Sequence, residues 1–142
     1  MNEKARRISE LKKAAYELLS DAGRVRIRAG DSDYVERAIA YLEADPYFES
    51  TGYIKSYLVR YLKLVPFTQS QQERLRALIL RVIDSYGHFS GKHVCRLAAS
   101  VQTPEFFAQV SERLKSPDYD IRRRARSVYD YVRRFNESNR DA

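Results

Sequence analysis

The amino-acid sequence predicts an all-α fold of about seven helices, one leading helix followed by three antiparallel pairs. Three observations predict it. Apolar residues recur at spacings of three and four through most of the chain, the period of a helix with one buried face. Most candidate helix starts carry an oxygen-bearing side chain able to accept from the free N–H groups of a first turn. The connections are short, which favours antiparallel neighbours.

Element by element, the first helix runs from about Glu3 to Asp21, with Ile8, Leu11, Ala15, Leu18 and Leu19 on one stripe, and stops at Gly23. The segment Gly23 to Gly30 alternates Arg24, Arg26 and Arg28 with Val25 and Ile27. A lone strand has no partner, so the segment reads as a basic connector. The second helix opens at Asp31 or Ser32, buries Tyr34, Val35, Ala38, Ile39 and Leu42, and ends before Pro46. The third opens near Ser50 or Thr51. Its stripe is Tyr53, Ile54, Tyr57, Leu58, Tyr61, Leu62 and Val65, with Lys55, Ser56, Arg60 and Lys63 on the opposite side, and Pro66 closes it.

The fourth helix follows Thr68, carries Leu75, Leu78, Ile79, Val82, Ile83 and Tyr86, and ends at Gly87, a residue suited to a left-handed cap. The fifth begins after Ser90 and turns Val94, Leu97, Ala98 and Val101 inward. Thr103-Pro104 opens the sixth, proline at a first helical position losing no hydrogen bond, and Phe106, Phe107, Val110 and Leu114 bury it. Ser116-Pro117 repeats that signal for the seventh. Its stripe is Ile121, Ala125, Val128, Tyr129, Val132 and Phe135, and the tail from Glu137 to Ala142 frays.

At 142 residues the chain has the size of one domain, 1-142, and 44% hydrophobic residues suffice to build a core. Its apolar runs are far shorter than the roughly 20 residues that cross a bilayer, and Met1 to Lys13 has no signal-peptide core. A cytoplasmic protein with no membrane partner is expected. The net charge of +7 is concentrated at the N-terminal end and around the middle of the chain. Such a field attracts polyanions or acidic proteins.

Residues of the paired helices also repeat. Ile54-Lys55, Leu58, Leu62 and Val65 align with Ile121-Arg122, Ala125, Tyr129 and Val132, and Val94, Ala98 and Val101 fit the same stripe. The stretch from Asp120 to Tyr129 (Asp-Ile-Arg-Arg-Arg-Ala-Arg-Ser-Val-Tyr) resembles the second helix of a HEAT repeat, in the HEAT/armadillo-like superfamily. That pattern sets a small residue where a helix crosses its partner, with apolar residues one turn to either side. The match is good in the seventh helix, partial in the third, where Leu58 replaces the small residue, and weaker in the fifth. The resemblance implies a HEAT-like stack, against the alternative of a non-repeating helical bundle. In such a stack the second helices line the concave surface, and Lys55, Arg60, Lys63, Lys92, Arg96, Arg122, Arg123 and Arg126 would form a basic inner face.

No catalytic centre is legible. His93 and Cys95 stand two apart on a helix, pointing to different sides, and His88 lies at the Gly87 break, so no metal site is expected. The five glycines are isolated, and neither a phosphate-gripping loop nor a dinucleotide fingerprint occurs, so no cofactor or small-molecule substrate is expected. Tyr53, Tyr57 and Tyr61 recur at i, i+4, a spacing that more often faces a neighbouring helix than a ligand. Tyr47 and Phe48 beside Pro46 are candidate exposed contacts. The expected function is a non-enzymatic scaffold binding an acidic protein through the basic face. The alternative is a nucleic-acid-binding protein holding DNA or RNA by its phosphates. A third reading resembles the HEAT-like alkylpurine DNA glycosylases, which rely on tryptophans near an aspartate; this chain has no Trp.

Overall fold

The computed structural model describes residues 2–44, 51–85 and 91–140, and for 51–53 and 91 the backbone alone. Among them are eight α-helices and no strand: α1 (Glu3–Leu19), α2 (Asp21–Arg28), α3 (Ser32–Ala44), α4 (Thr51–Leu62), α5 (Gln69–Asp84), α6 (Gly91–Val101), α7 (Pro104–Glu112) and α8 (Tyr119–Arg140). A single 3-10 turn, Arg113–Lys115, follows α7. No helix of the described residues is long and apolar enough to cross a membrane.

Side-chain caps set most of the helix starts. Asn2 accepts from the Ala5 N–H at 2.8 Å to open α1, and Thr103 accepts from Phe106 at 3.1 Å to open α7 ahead of Pro104. Thr68 and Gln71 form a reciprocal capping box on α5. Asp118, rather than Ser116, opens α8: its carboxylate accepts from Asp120 at 2.8 Å and Ile121 at 3.2 Å, which leaves Pro117 outside the helix. The same helix continues to Arg140, so most of the expected frayed tail is ordered helix.

The supposed basic connector is the helix α2. Ser20 ends α1 and opens the next helix, its hydroxyl accepting from the Gly23 N–H at 3.0 Å. Helical winding then buries Gly23 and Ile27, one turn apart, and distributes the three arginines around the exposed sides. Gly23 is demanded by the tight corner, because a Cβ there would lie 2.3 Å from the Glu17 carbonyl oxygen and 2.5 Å from that of Leu18. Gly30, at φ 80°, makes the left-handed turn into α3. The fourth expected helix stops earlier than read, at Asp84 with an extended Ser85, and Gly87 lies outside the described residues.

Consecutive helices α3 and α4, α5 and α6, and α7 and α8 pack together. Across these pairs, α3, α5 and α7 are neighbours in one row, and α4, α6 and α8 in a second; α1 and α2 close the end against α3 and α4. The core between the rows holds Leu18, Ile27, Ile39, Leu42, Leu58, Leu62, Leu75, Ile79, Ile83, Leu97 and Phe106, all essentially inaccessible. Phe107 stacks on Tyr129 with centroids 4.9 Å apart, whereas Phe135, expected in the stripe of α8, is exposed.

Ion pairs run along the first row. Arg37 of α3 meets Glu17 of α1 at 3.3 Å. Arg74 of α5 reaches Glu36 and Glu43 of α3, each at 2.6 Å, and Arg113 grips Asp84 of α5 at 2.7 Å. Other arginines satisfy carbonyls at helix ends: Arg76 bonds Val101, Arg81 bonds Glu43 and Arg124 bonds Ile83, each at 2.8 Å. Much of the arginine content is therefore structural.

Two predictions follow from this packing. Gly23→Ala should cost about 2 kcal/mol in urea denaturation, because the added methyl meets immobile backbone. Hydrogen bonds from Arg74 and Gln71 hold Glu36 below the usual carboxylate range, against the opposing effect of burial. A depressed carboxylate stabilises the fold above the ordinary carboxylate pKa, and that contribution is lost as pH falls through the lowered value. The stability gap between the wild type and Glu36→Gln, measured by denaturation at several pH values, should be open at neutral pH and close in acid.

Candidate functional site

The face of α4 that packs inward consists of Lys55, Leu58, Val59 and Leu62, every one of them 0% exposed. This differs from the face read from the sequence. Counting Val59 with the apolar residues rotates the buried stripe by about one position and carries Lys55 into the interior, where it has a partner. Lys55 is therefore not part of a basic surface. The rotation also turns Tyr57 outward to 45% exposure, against the expectation of a core residue, whereas Tyr61 is half-buried and packs against the core; their rings sit 6.3 Å apart, tilted by 37°. The side chain of Tyr53 lies outside the described residues.

On the outward side of α4 and α6, cations converge. His93 of α6 is half-buried, and its Nδ1 is buried with no hydrogen-bond partner. Its pKa is held below the usual value first by burial and then by the positive charges of Arg96, Arg60, Lys92 and Lys63. Two of those cations come from α6, one from α4 and one from the turn just after it. Arg28, the last residue of α2, joins the group: its guanidinium lies over the Tyr61 ring at 5.3 Å, and it lines a cavity of about 290 Å³ with Arg60, Tyr61, Lys63 and Leu64.

Among the described residues, none of these five cations makes an ion pair with a carboxylate. The sequence supplies the reason. From Ser50 to Gln72, and again from Ser85 to Pro104, the chain contains no Asp or Glu. Those stretches include the whole of α4 and α6. Because α4 and α6 pack against each other, cations on their outer sides meet other cations rather than carboxylates of these two stretches, and their fields add.

The remaining candidates lie elsewhere or are already engaged. On α8, Arg122 bonds the Ser116 carbonyl at 2.7 Å and covers the Tyr119 ring at 5.7 Å. Arg123 faces Asp120 and Arg126 faces Asp130, each at 3.9 Å on their own helix. These three arginines have local partners and do not join the cluster around His93. Tyr47, Phe48 and His88 lie outside the described residues. Of the eight basic residues expected on one face, Arg60, Lys63, Lys92 and Arg96 come together; Arg28 was missed because its segment was read as a connector.

The chemistry of the face is that of anion attraction. Cys95, buried beside α8, has a thiol pushed up to about 11 by burial, against a smaller opposing effect of Arg134, so it is protonated at neutral pH and a poor nucleophile. Among the described residues no three His, Cys, Asp or Glu side chains gather as metal ligands. The chain matches no protein family, no curated protein and no solved structure.

Removing two of the surrounding charges in the variant Arg60→Gln with Arg96→Gln should move the His93 titration upward, towards the ordinary imidazole value, as followed by NMR. An unchanged midpoint would show that those cations do not surround the ring.

Proposed function

We propose that this protein is a non-enzymatic, HEAT-like helical scaffold that docks an acidic partner protein on the face formed by the end of α2, α4 and the start of α6. The observation that carries the reading is the convergence of Arg28, Arg60, Lys63, Lys92 and Arg96 from separate elements, the last four on two stretches of sequence free of carboxylates. A stack of helix pairs supports such a role because each helix contributes one or two side chains to a shared surface without rearranging its own core. The neighbour order α4, α6, α8 is what a repeat stack of this kind needs. The first row, where carboxylates and arginines join helix to helix, offers no comparable excess.

Electrostatic complementarity chiefly governs encounter rate and partner choice. A Glu-rich peptide is therefore expected to bind the wild type in low salt and to weaken as salt is raised. The triple variant Arg60→Glu, Lys63→Glu and Arg96→Glu should lose at least about tenfold in affinity. Arg122→Glu, Arg123→Glu and Arg126→Glu changes net charge by the same amount at a different place and should lose much less. Equal loss in the two variants, measured by fluorescence anisotropy, would show that overall charge rather than this face determines binding.

A further inference from the structure

We infer that the partner segment is acidic and also carries an apolar side chain, which seats on the strip formed by Tyr57, Tyr61 and Leu64 while its carboxylates meet Arg28, Arg60 and Lys63. The inference rests on the docking role proposed above. Its starting point is the apolar surface that the fold leaves exposed at Leu64 and Tyr57, on either side of Tyr61, whose inner part packs against the core. Leu64, in the turn after α4, is 85% exposed, and Tyr57 is exposed one turn before the half-buried Tyr61. The strip is continuous, because Tyr57 neighbours Tyr61 and Tyr61 lines the same cavity as Leu64.

A single exposed leucine is ordinary on a protein surface. This one shares a cavity with three cations, and that conjunction selects the occupant. The positive charges require an anionic ligand, while Leu64 rewards one that also brings hydrocarbon out of water. The cavity's volume, about 290 Å³, lies at the lower bound of small-molecule pockets and suits a single side chain. An acidic peptide supplies both chemistries within a few residues.

Nucleic acid fits less well. Stacking of bases needs open, flat aromatic faces, but one face of Tyr61 lies under the Arg28 guanidinium and the two rings are tilted by 37°. The aliphatic Leu64 offers a phosphate or sugar nothing. An extended polyanion would also profit from a long cationic track, and Arg122, Arg123 and Arg126 of α8 are turned to their own helix or its preceding turn instead of prolonging this one.

The test uses the full chain and three fluorescent probes of equal charge: a Glu-rich peptide with a central leucine, the same peptide with serine in its place, and a short oligothymidylate. The leucine peptide is expected to bind at least about fivefold tighter than the serine peptide. Leu64→Ser, at a position this exposed, should abolish that advantage while leaving the serine peptide and the circular dichroism spectrum unchanged. Equal binding of the two peptides to the wild type, a Leu64→Ser loss shared by both, or tighter binding of the oligonucleotide would each overturn the inference while leaving a basic docking face in place. Failure of all three probes to bind in low salt would overturn the docking role itself, and this inference with it.

Discussion

The architecture depends on how closely α6 is held by its neighbours. It packs against α4, α5 and α8 at once, and Val94, Cys95, Leu97, Ala98, Ala99 and Val101 are all buried there. Cys95, Ala98 and Ala99 are small, and on α8 Ala125 is fully buried in the same core. Small side chains at a crossing let two backbones approach, and close packing then fixes their relative position. A helix enclosed on three sides keeps only a narrow strip for solvent. On α6 that strip carries Lys92 and Arg96, so the packing that builds the core also decides where charge is presented.

The charged residues are divided unequally between the two rows of helices. In the row of α3 and α5, carboxylates and arginines join one helix to the next, Arg74 bridging two glutamates and Arg113 holding Asp84 in a double hydrogen bond. These pairs are partly exposed, so each adds only modestly to stability; their larger effect is to use up local charge. On α4 and α6 the carboxylates are missing from the sequence and the core takes Lys55, leaving the outer cations in each other's company. His93 registers that company, its imidazole held in the neutral form by burial and by four positive neighbours.

Much of the fold was legible because its signals are local. The Thr68–Gln71 box, Thr103-Pro104 and the apolar stripes of α3, α5 and α7 can each be read within one or two turns. The segment that became α2 was not, since its alternation of Arg with β-branched Val25 and Ile27 mimics a strand and its glycine and β-branched residues lower helix propensity, so that its Ser20 cap and its packing on α1, α3 and α4 make it helical. The face of α4 was misread because Ile54, Tyr57 and Tyr61 drew the stripe away from Val59; in a helix with apolar residues on most sides, neighbours decide which face goes inward. The basic group required knowing which helices adjoin, information that is not local. One usable signal was nevertheless present, the two long stretches without Asp or Glu.

Arg28 and Tyr61 illustrate what an aromatic partner does that a carboxylate cannot. A carboxylate fixes a guanidinium and cancels it; a ring attracts it through its quadrupole and leaves the full unit of charge available. Arg28 is thus pre-organised, with some of its rotamer freedom given up during folding and its electrostatic reach intact. A ligand arriving there has less disorder to remove, which favours a slow dissociation rate over a merely fast encounter.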